Sequence, residues 1–182
     1  MSEKCIGVPW LKIKQGGCIQ MPIFVEGSEE EIKMTTKQEF KGVAELLWKP
    51  HTTQVRVRYG ETDAMGYVYY GNYALYFEVG RNETMRKLGF PYGRIEEYGI
   101  MMPVVDMHLH YDSAAHYDDL LDITTGVLEL HAASIVFGYI ISRNADRARL
   151  VYGTTTLAFV DSTTRKPVRV PELVRERIGI PQ

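Results

Sequence analysis

The stretch that decides the fold reads Glu61-Thr62-Asp63-Ala64-Met65-Gly66-Tyr67-Val68-Tyr69-Tyr70. It follows residues 54–59, whose alternation of apolar and polar side chains is typical of a strand, and helical periodicity begins near Asn72. A turn between these elements can place the carboxylate of Asp63 beside a helix N-terminus, whose free N–H groups attract negative charge. A base that faces such a helix end is the minimum arrangement for attack on a carbonyl group.

The segment Asn72–Leu88 predicts one long amphipathic helix. Its apolar and small residues recur at intervals of three and four, as one face of a helix requires, whereas charged residues such as Arg81 lie mostly off that stripe. Gly89 is expected to end the helix, and Pro91 follows it. Because Gly80 lowers helix propensity by roughly 1 kcal/mol relative to alanine, we expect another element to pack closely against the helix at that point.

The rest of the chain predicts further strands and one short helix. The strands are expected at 105–112, 120–130, 134–142 and 150–160, and the helix at Glu172–Ile178. Short polar breaks between successive strands favour antiparallel pairing. With the strand at 54–59, the pattern indicates the α+β class, in which one helix covers part of a sheet of about five strands. A lone helix leaves sheet surface uncovered, so pairing with a second copy is expected.

Length and composition restrict the class of protein. The chain has 182 residues, of which 1–50 are interpreted as an N-terminal extension of unknown role and 51–182 as one domain. A net charge of −2 gives no electrostatic case for nucleic acid binding. No apolar run approaches the roughly 18 residues needed to span a membrane, and the N-terminus does not resemble a secretory signal. Cys5 and Cys18 are too few for a disulfide framework, so a cytoplasmic location is expected.

Residues 57–73 resemble the signature of hotdog-fold acyl-CoA thioesterases of the 4-hydroxybenzoyl-CoA thioesterase type, including the branch encoded beside the Tol-Pal envelope system. Tyr117–Leu120, Ser134–Tyr139 and Phe159–Asp161 extend the resemblance, which covers about residues 52–178. It implies a long central helix wrapped by a curved antiparallel sheet, in homodimers or homotetramers with active sites between subunits. It also implies hydrolysis of an acyl-CoA thioester to a free acid and coenzyme A, with no cofactor and no metal.

The resemblance assigns roles to residues of the turn. Asp63 matches the catalytic carboxylate, which acts as a general base on water or attacks the acyl carbon itself. Tyr70 matches the position whose backbone N–H polarises the thioester carbonyl, and such a donor is typically worth roughly 3–4 kcal/mol. Gly66, Tyr67 and Asn72 are the expected substrate-binding residues, although Gly66 could equally be an ordinary turn glycine.

Other residues carry alternatives. Glu61 is interpreted as either supporting or solvent-facing. Composition favours Asn72 as the residue that caps the helix, two residues after Tyr70, whereas the resemblance favours an earlier start. Glu78 is a second candidate for the base, because another hotdog branch uses a glutamate on the helix. A non-catalytic acyl-CoA-binding or assembly module on the same scaffold is the alternative function.

Two clusters of polar side chains have a binding interpretation and a simpler one. The cluster within 106–112 could bind a metal, but the exposed face of an amphipathic strand accounts for it, and no metal site is expected. Its members are Asp106, His108, His110 and Asp112. The cluster within 143–149 could meet the phosphates of coenzyme A or could form an exposed basic loop. Its members are Arg143, Arg147 and Arg149.

Overall fold

The computed structural model of the protein describes residues 47–179. The strands in this part are β1 (Trp48–Arg56), β2 (Ile100–Met101), β3 (Val104–Tyr111), β4 (Leu120–Leu130), β5 (Ser134–Arg143), β6 (Arg149–Ala158) and β7 (Val160–Asp161). Five of them form an antiparallel sheet in the spatial order β1–β4–β5–β6–β3, and β2 pairs with β7 in a separate two-stranded sheet. The edges of the main sheet are therefore β1 and β3.

The described residues also form three α-helices. They are α1 (Asn72–Leu88), α2 (Tyr92–Glu97) and α3 (Glu172–Ile178), and a 3-10 turn at Tyr59–Glu61 precedes α1. The predicted bounds of α1 and α3 are confirmed. Gly89 ends α1 in the left-handed conformation, with φ of 85° and with its N–H donating to carbonyl groups of the last turn. The α+β class and the antiparallel sheet of five strands are likewise confirmed.

The long helix α1 packs across one face of the main sheet. The ring of Phe77 stacks on that of Tyr139 in β5, with centroids 4.1 Å apart and an interplanar angle of 7°. One turn later, a Cβ atom added to Gly80 would lie 2.4 Å from Oγ1 of Thr125 in β4. The close approach predicted at Gly80 is confirmed, because only a glycine leaves room for β4 at this crossing.

Two expectations about the helical region are wrong. The helix α2 lies where the sequence predicts no helix, because six residues are too few to establish a period. The sequence pattern places Arg81 off the apolar stripe of α1, which favours a solvent-facing side chain, but only 6% of its surface is exposed. Its guanidinium donates from Nε to the phenol oxygen of Tyr92 at 2.6 Å and from Nη1 to that of Tyr139 at 3.3 Å. These two hydroxyls solvate the charge inside the domain.

The strand β1 begins at Trp48, so the domain boundary predicted at residue 51 falls within it. Pro50 lies in β1, where an edge strand tolerates a residue that cannot donate to the ladder. The pairing of β1 with β4 is irregular between Trp48 and His51. Residues 1–46 of the predicted N-terminal extension lie outside the described residues, and the extension stays a prediction.

Candidate active site

The turn that carries Asp63 is a tight hairpin. The N–H of Asp63 donates to the carbonyl of Tyr67 at 2.8 Å, and the N–H of Gly66 donates to the carbonyl of Asp63 at 2.9 Å. Gly66 has a φ of 78°, in the left-handed region that favours glycine. A Cβ added to Gly66 would meet nothing within 4 Å, so the backbone of the turn, and not close packing, requires this glycine.

The two sides of this hairpin and a third segment form a small ladder. Thr62 pairs with Val68, and Tyr67 pairs with His116, both antiparallel. Alternate residues of paired segments face opposite sides, and directly opposed residues share a side. Val68 is buried in the core. The neighbouring position of the ladder, which contains Asp63, Tyr67 and His116, therefore faces outward. The rings of Tyr67 and His116 are in edge contact, with centroids 5.3 Å apart.

The carboxylate of Asp63 is half-buried and keeps one oxygen available. Its Oδ1 accepts a hydrogen bond from the N–H of Met65 at 2.8 Å, which fixes the side chain relative to the turn. Its Oδ2 has no hydrogen-bond partner among residues 47–179. A carboxylate held by one oxygen and free at the other can accept a proton from water or attack an electrophile.

Tyr70 stands at the start of the helical turn that leads into α1. The N–H of Asn72 donates to the carbonyl of Tyr69 at 2.9 Å, and the N–H of Tyr73 donates to the carbonyl of Tyr70 at 3.4 Å. The N–H of Tyr70 donates to no acceptor within the described chain. It is therefore an unsatisfied amide at the positive end of a helix, where negative charge is favoured. The ring of Tyr70 is 63% exposed.

Of the two alternatives for the start of α1, the one from composition, in which Asn72 caps the helix, is wrong. The capping position belongs to Gly71, which has helical dihedral angles and no side chain to bond the first amides. Asn72 is the first helical residue, and its Nδ2 donates to the carbonyl of Glu61 at 2.8 Å. The side chain thus ties the helix to the segment before the turn, and the amides of the first helical turn have no side-chain cap.

Glu61 accepts four hydrogen bonds, which agrees with the interpretation of Glu61 as a supporting residue. Its carbonyl accepts from the N–H of Tyr69 as well as from Asn72, and its Oε2 accepts from the N–H of Arg58 at 2.7 Å and from the hydroxyl of Tyr76 at 2.9 Å. The Glu61 side chain is 17% exposed. Burial, together with the bond to Glu61, raises the pKa of Tyr76 well above its ordinary value, so the phenol stays a donor.

The structure does not bring the other candidates to this site. Glu78 is exposed on α1 and makes no hydrogen bond to a described residue. The three arginines considered for phosphate binding are each paired with carboxylates. The pairs are Arg143–Asp119 (3.1 Å), Arg143–Asp146 (2.9 Å), Arg147–Asp122 (2.8 Å) and Arg149–Asp112 (2.5 Å). Their charge is largely neutralised within the chain.

Within residues 47–179, no group of three or more His, Cys, Asp or Glu side chains is arranged to hold a metal ion. The polar residues of β3 instead pair with neighbours, as His108 Nε2 does with Asp106 Oδ2 at 3.0 Å. None of the helices in the described part combines the length and apolar character needed to cross a membrane.

Sequence reasoning found the turn but missed some of its supports. The spacing of Arg58 and Glu61 matches the interval of a capping box, which could have indicated that Glu61 closes a local turn. No local signal connects Tyr76 to Glu61 or His116 to Tyr67, because the first contact spans 15 residues and the second joins separate loops.

A long helix on a five-stranded antiparallel sheet, with an acidic turn before the helix, defines a hotdog-fold thioesterase domain. Residues 57–178 match the model of the thioesterase-like superfamily. The chain belongs to this family and is a thioester hydrolase.

Individual relatives agree with this assignment. The chain is 34% identical over 116 residues to the putative acyl-CoA thioesterase YneP of Bacillus subtilis, covering 64% of this chain and 83% of the relative. It is 38% identical over 122 residues to the acyl-CoA thioesterase YbgC of Haemophilus influenzae, covering 66% and 88%. The structure of DHNA-CoA thioesterase from Staphylococcus aureus is similar with a TM-score of 0.63 and 35% identity, covering 66% of this chain and 80% of that one.

Proposed function

We propose that this protein hydrolyses an acyl-CoA thioester to a free carboxylic acid and coenzyme A. The observation that carries the proposal is the position of Asp63, whose Oδ2 accepts no hydrogen bond from residues 47–179 and whose turn immediately precedes α1. Family membership and the acyl-CoA thioesterase names of the relatives support the choice of substrate class. With two cysteines in 182 residues, composition favours the cytoplasm as the compartment.

In the proposed reaction, Asp63 removes a proton from water and the resulting hydroxide adds to the thioester carbonyl carbon. Alternatively, Asp63 adds to that carbon itself, and water then cleaves the mixed anhydride. In both routes the carbonyl oxygen gains negative charge and the amide of Tyr70 donates to it. The C–S bond breaks, and the departing thiolate of coenzyme A takes up a proton from water or from the protonated Asp63.

The expected substrate-binding residues lie around this centre in different ways. The ring of Tyr67 is 43% exposed on the same side of the ladder as Asp63, so it can line the path of the thioester. Gly66 acts through the turn that fixes Asp63. Because Nδ2 of Asn72 is already engaged, Asn72 would reach the substrate only through its amide oxygen.

We also propose that a second copy of the chain pairs along β3. Both edge strands expose backbone groups, but β1 carries Pro50 and an irregular register, which discourage strand addition. On β3, Val104 and Val105 are 44% and 59% exposed. Light scattering coupled to gel filtration should give a dimer or a tetramer, and a monomeric mass at assay concentration would contradict this arrangement.

The function is tested by thiol release over a panel of aliphatic and aromatic acyl-CoA esters. Asp63→Asn is expected to lower kcat for the best substrate by about 10²–10⁴-fold, as loss of an acid–base group usually does. Asp118→Asn is the matched control, because Asp118 is exposed in a neighbouring loop with φ of 67°, a conformation that Asn tolerates. Unchanged turnover of Asp63→Asn would contradict the assignment of the residue. Tight binding without thiol release would instead identify a non-catalytic acyl-CoA-binding module.

A further inference from the structure

Glu61 connects the segment before the acidic turn to the start of α1 through its backbone. Its carbonyl accepts from the N–H of Tyr69 at 2.9 Å and from Nδ2 of Asn72 at 2.8 Å. Because the N–H of Tyr69 is used in this way, the next amide along the chain, that of Tyr70, is the first one that donates to no acceptor within the described residues. The carbonyl of Glu61 therefore helps to determine which amide at the start of α1 is available to a ligand.

The side chain of Glu61 makes the same connection independently. Its Oε2 accepts from the N–H of Arg58, two residues after β1, and from the hydroxyl of Tyr76, in the second turn of α1. Tyr76 is only 2% exposed, so its ring is fixed by the core. A single carboxylate oxygen thus connects the segment before Asp63 to the helix after it. Glu61, which carries this oxygen, precedes Asp63 by two residues.

We propose that Glu61 is a positioning residue that holds the Asp63 carboxylate in register with the Tyr70 amide. This inference rests on the proposed function, because the register matters only if both groups act on one carbonyl. Asp63 follows Glu61 by two residues in the same arm of the hairpin, at most about 7 Å along the chain, so a shift at Glu61 is transmitted to Asp63. A misplacement of about 1 Å at a reacting group can lower a rate by about 10²-fold.

The geometry distinguishes positioning from chemistry at Glu61 itself. Both donors converge on Oε2, and the Oε1 atom is 4.0 Å from Nη1 of Arg58. The amide oxygen of a glutamine can occupy the place of Oε2 and accept both hydrogen bonds without a charge. An alanine accepts neither. A positioning role therefore predicts that Glu61→Gln is active and Glu61→Ala is not, whereas a role in proton transfer predicts that both are inactive.

The experiment compares kcat and KM of Glu61→Gln, Glu61→Ala and Tyr76→Phe on the best acyl-CoA ester, with thermal unfolding of each variant. We expect Glu61→Gln to retain kcat within about 3-fold and Glu61→Ala to lose about 10–100-fold, with KM in both within about 3-fold. Tyr76→Phe removes one of the two donors and should fall between them. Adding Tyr76→Phe to Glu61→Ala should increase the loss little, because Glu61→Ala has already removed the hydrogen bond between these two residues.

Three results would overturn the inference. They are a Glu61→Gln loss as large as that of Glu61→Ala, a Glu61→Ala kcat within about 3-fold of wild type, and a Glu61→Ala loss that appears in KM alone. The Asp63→Asn variant separates this inference from the function on which it rests. If Asp63→Asn is inactive while Glu61→Ala is fully active, only the positioning role is wrong. If Asp63→Asn is fully active, the proposed catalytic centre is wrong.

Discussion

The guanidinium of Arg81 in α1 donates from Nη1 to the phenol oxygen of Tyr139 in β5 at 3.3 Å. Its Nε donates to the phenol of Tyr92, and no carboxylate among residues 47–179 forms an ion pair with it. Burial raises the pKa of both tyrosines, so these phenols stay neutral. Among residues 47–179 the charge of Arg81 is thus stabilised by neutral tyrosine side chains, which makes each hydrogen bond to it important.

Tyr139→Phe is expected to destabilise the protein by about 1–3 kcal/mol, because it removes an acceptor of a buried cation. It also removes the partner of Thr155, whose Oγ1 lies 2.6 Å from the Tyr139 hydroxyl. Urea unfolding of the variant measures the loss. Tyr98→Phe is the control, since Tyr98 is 60% exposed, and it should change stability by less than about 0.5 kcal/mol. Equal stabilities of the two variants would contradict the role of the Tyr139 hydroxyl.

Gly80→Ala is expected to lower stability by about 1–2 kcal/mol, although alanine is the better helix former by about 1 kcal/mol. The new Cβ would lie 2.4 Å from Oγ1 of Thr125 and 2.7 Å from Cγ2 of Ile123. Both atoms belong to β-branched side chains, which have little freedom to move. At Gly93 in α2, an added Cβ meets nothing within 4 Å, so Gly93→Ala should be neutral or stabilising. A stabilising Gly80→Ala in the same thermal unfolding experiment would contradict the tight crossing.

The predictability of these features follows from the range of the interactions. The bounds of α1 were predictable because its stripe and its terminal Gly89 are local signals. The burial of Arg81 was not, because its acceptors lie 11 and 58 residues away in the chain. A charged residue beside an apolar stripe usually faces solvent, and only the tertiary placement of two hydroxyls reverses that preference.

The candidate site shows the same contrast between local signals, which are predictable, and long-range contacts, which are not. The acidic turn was predictable because a strand pattern, a glycine and a helix pattern follow one another within 20 residues. Composition alone favours Asn72 as the cap, because Asn is a good capping residue, but Asn72 is the first helical residue. Its side chain bonds the carbonyl of Glu61 instead, and that contact depends on how the hairpin folds back.

Acid should weaken the turn after β7. The carboxylate of Asp161 accepts from the N–H groups of Thr163 and Thr164, and these bonds lower its pKa. The unfolded chain therefore binds a proton more readily, so this contribution to stability is present above the ordinary carboxyl pKa of about 4 and is lost as pH falls through the lower folded value. Unfolding from pH 5 to pH 2 should show a weaker acid dependence for Asp161→Asn. Identical slopes for variant and wild type would contradict the assignment.

Arg147→Ala should leave KM for acyl-CoA esters within about 2-fold of wild type. Arg147 forms an ion pair with Asp122 at 2.8 Å, so its charge is already neutralised by that carboxylate. Asp122 also accepts from Gln54 and Asn144, and these bonds should limit the stability loss to about 1 kcal/mol or less. Steady-state kinetics at low and moderate salt provide the measurement. A KM increase of about 10-fold that weakens with added salt would instead indicate that Arg147 contacts a phosphate of the substrate.

The amide of Tyr70 can be tested separately from its side chain. Replacing Tyr70 by its α-hydroxy acid converts the peptide bond to an ester and removes the N–H. Because this N–H donates to no acceptor within residues 47–179, the change should leave thermal stability nearly unaltered. If the amide stabilises the oxyanion, kcat should fall by about 10²–10³-fold, as for other single oxyanion donors. Tyr70→Ala keeps the amide and removes a ring that is 63% exposed, so it should retain kcat within about 5-fold. An ester variant as active as Tyr70→Ala would show that the carbonyl is polarised by another group.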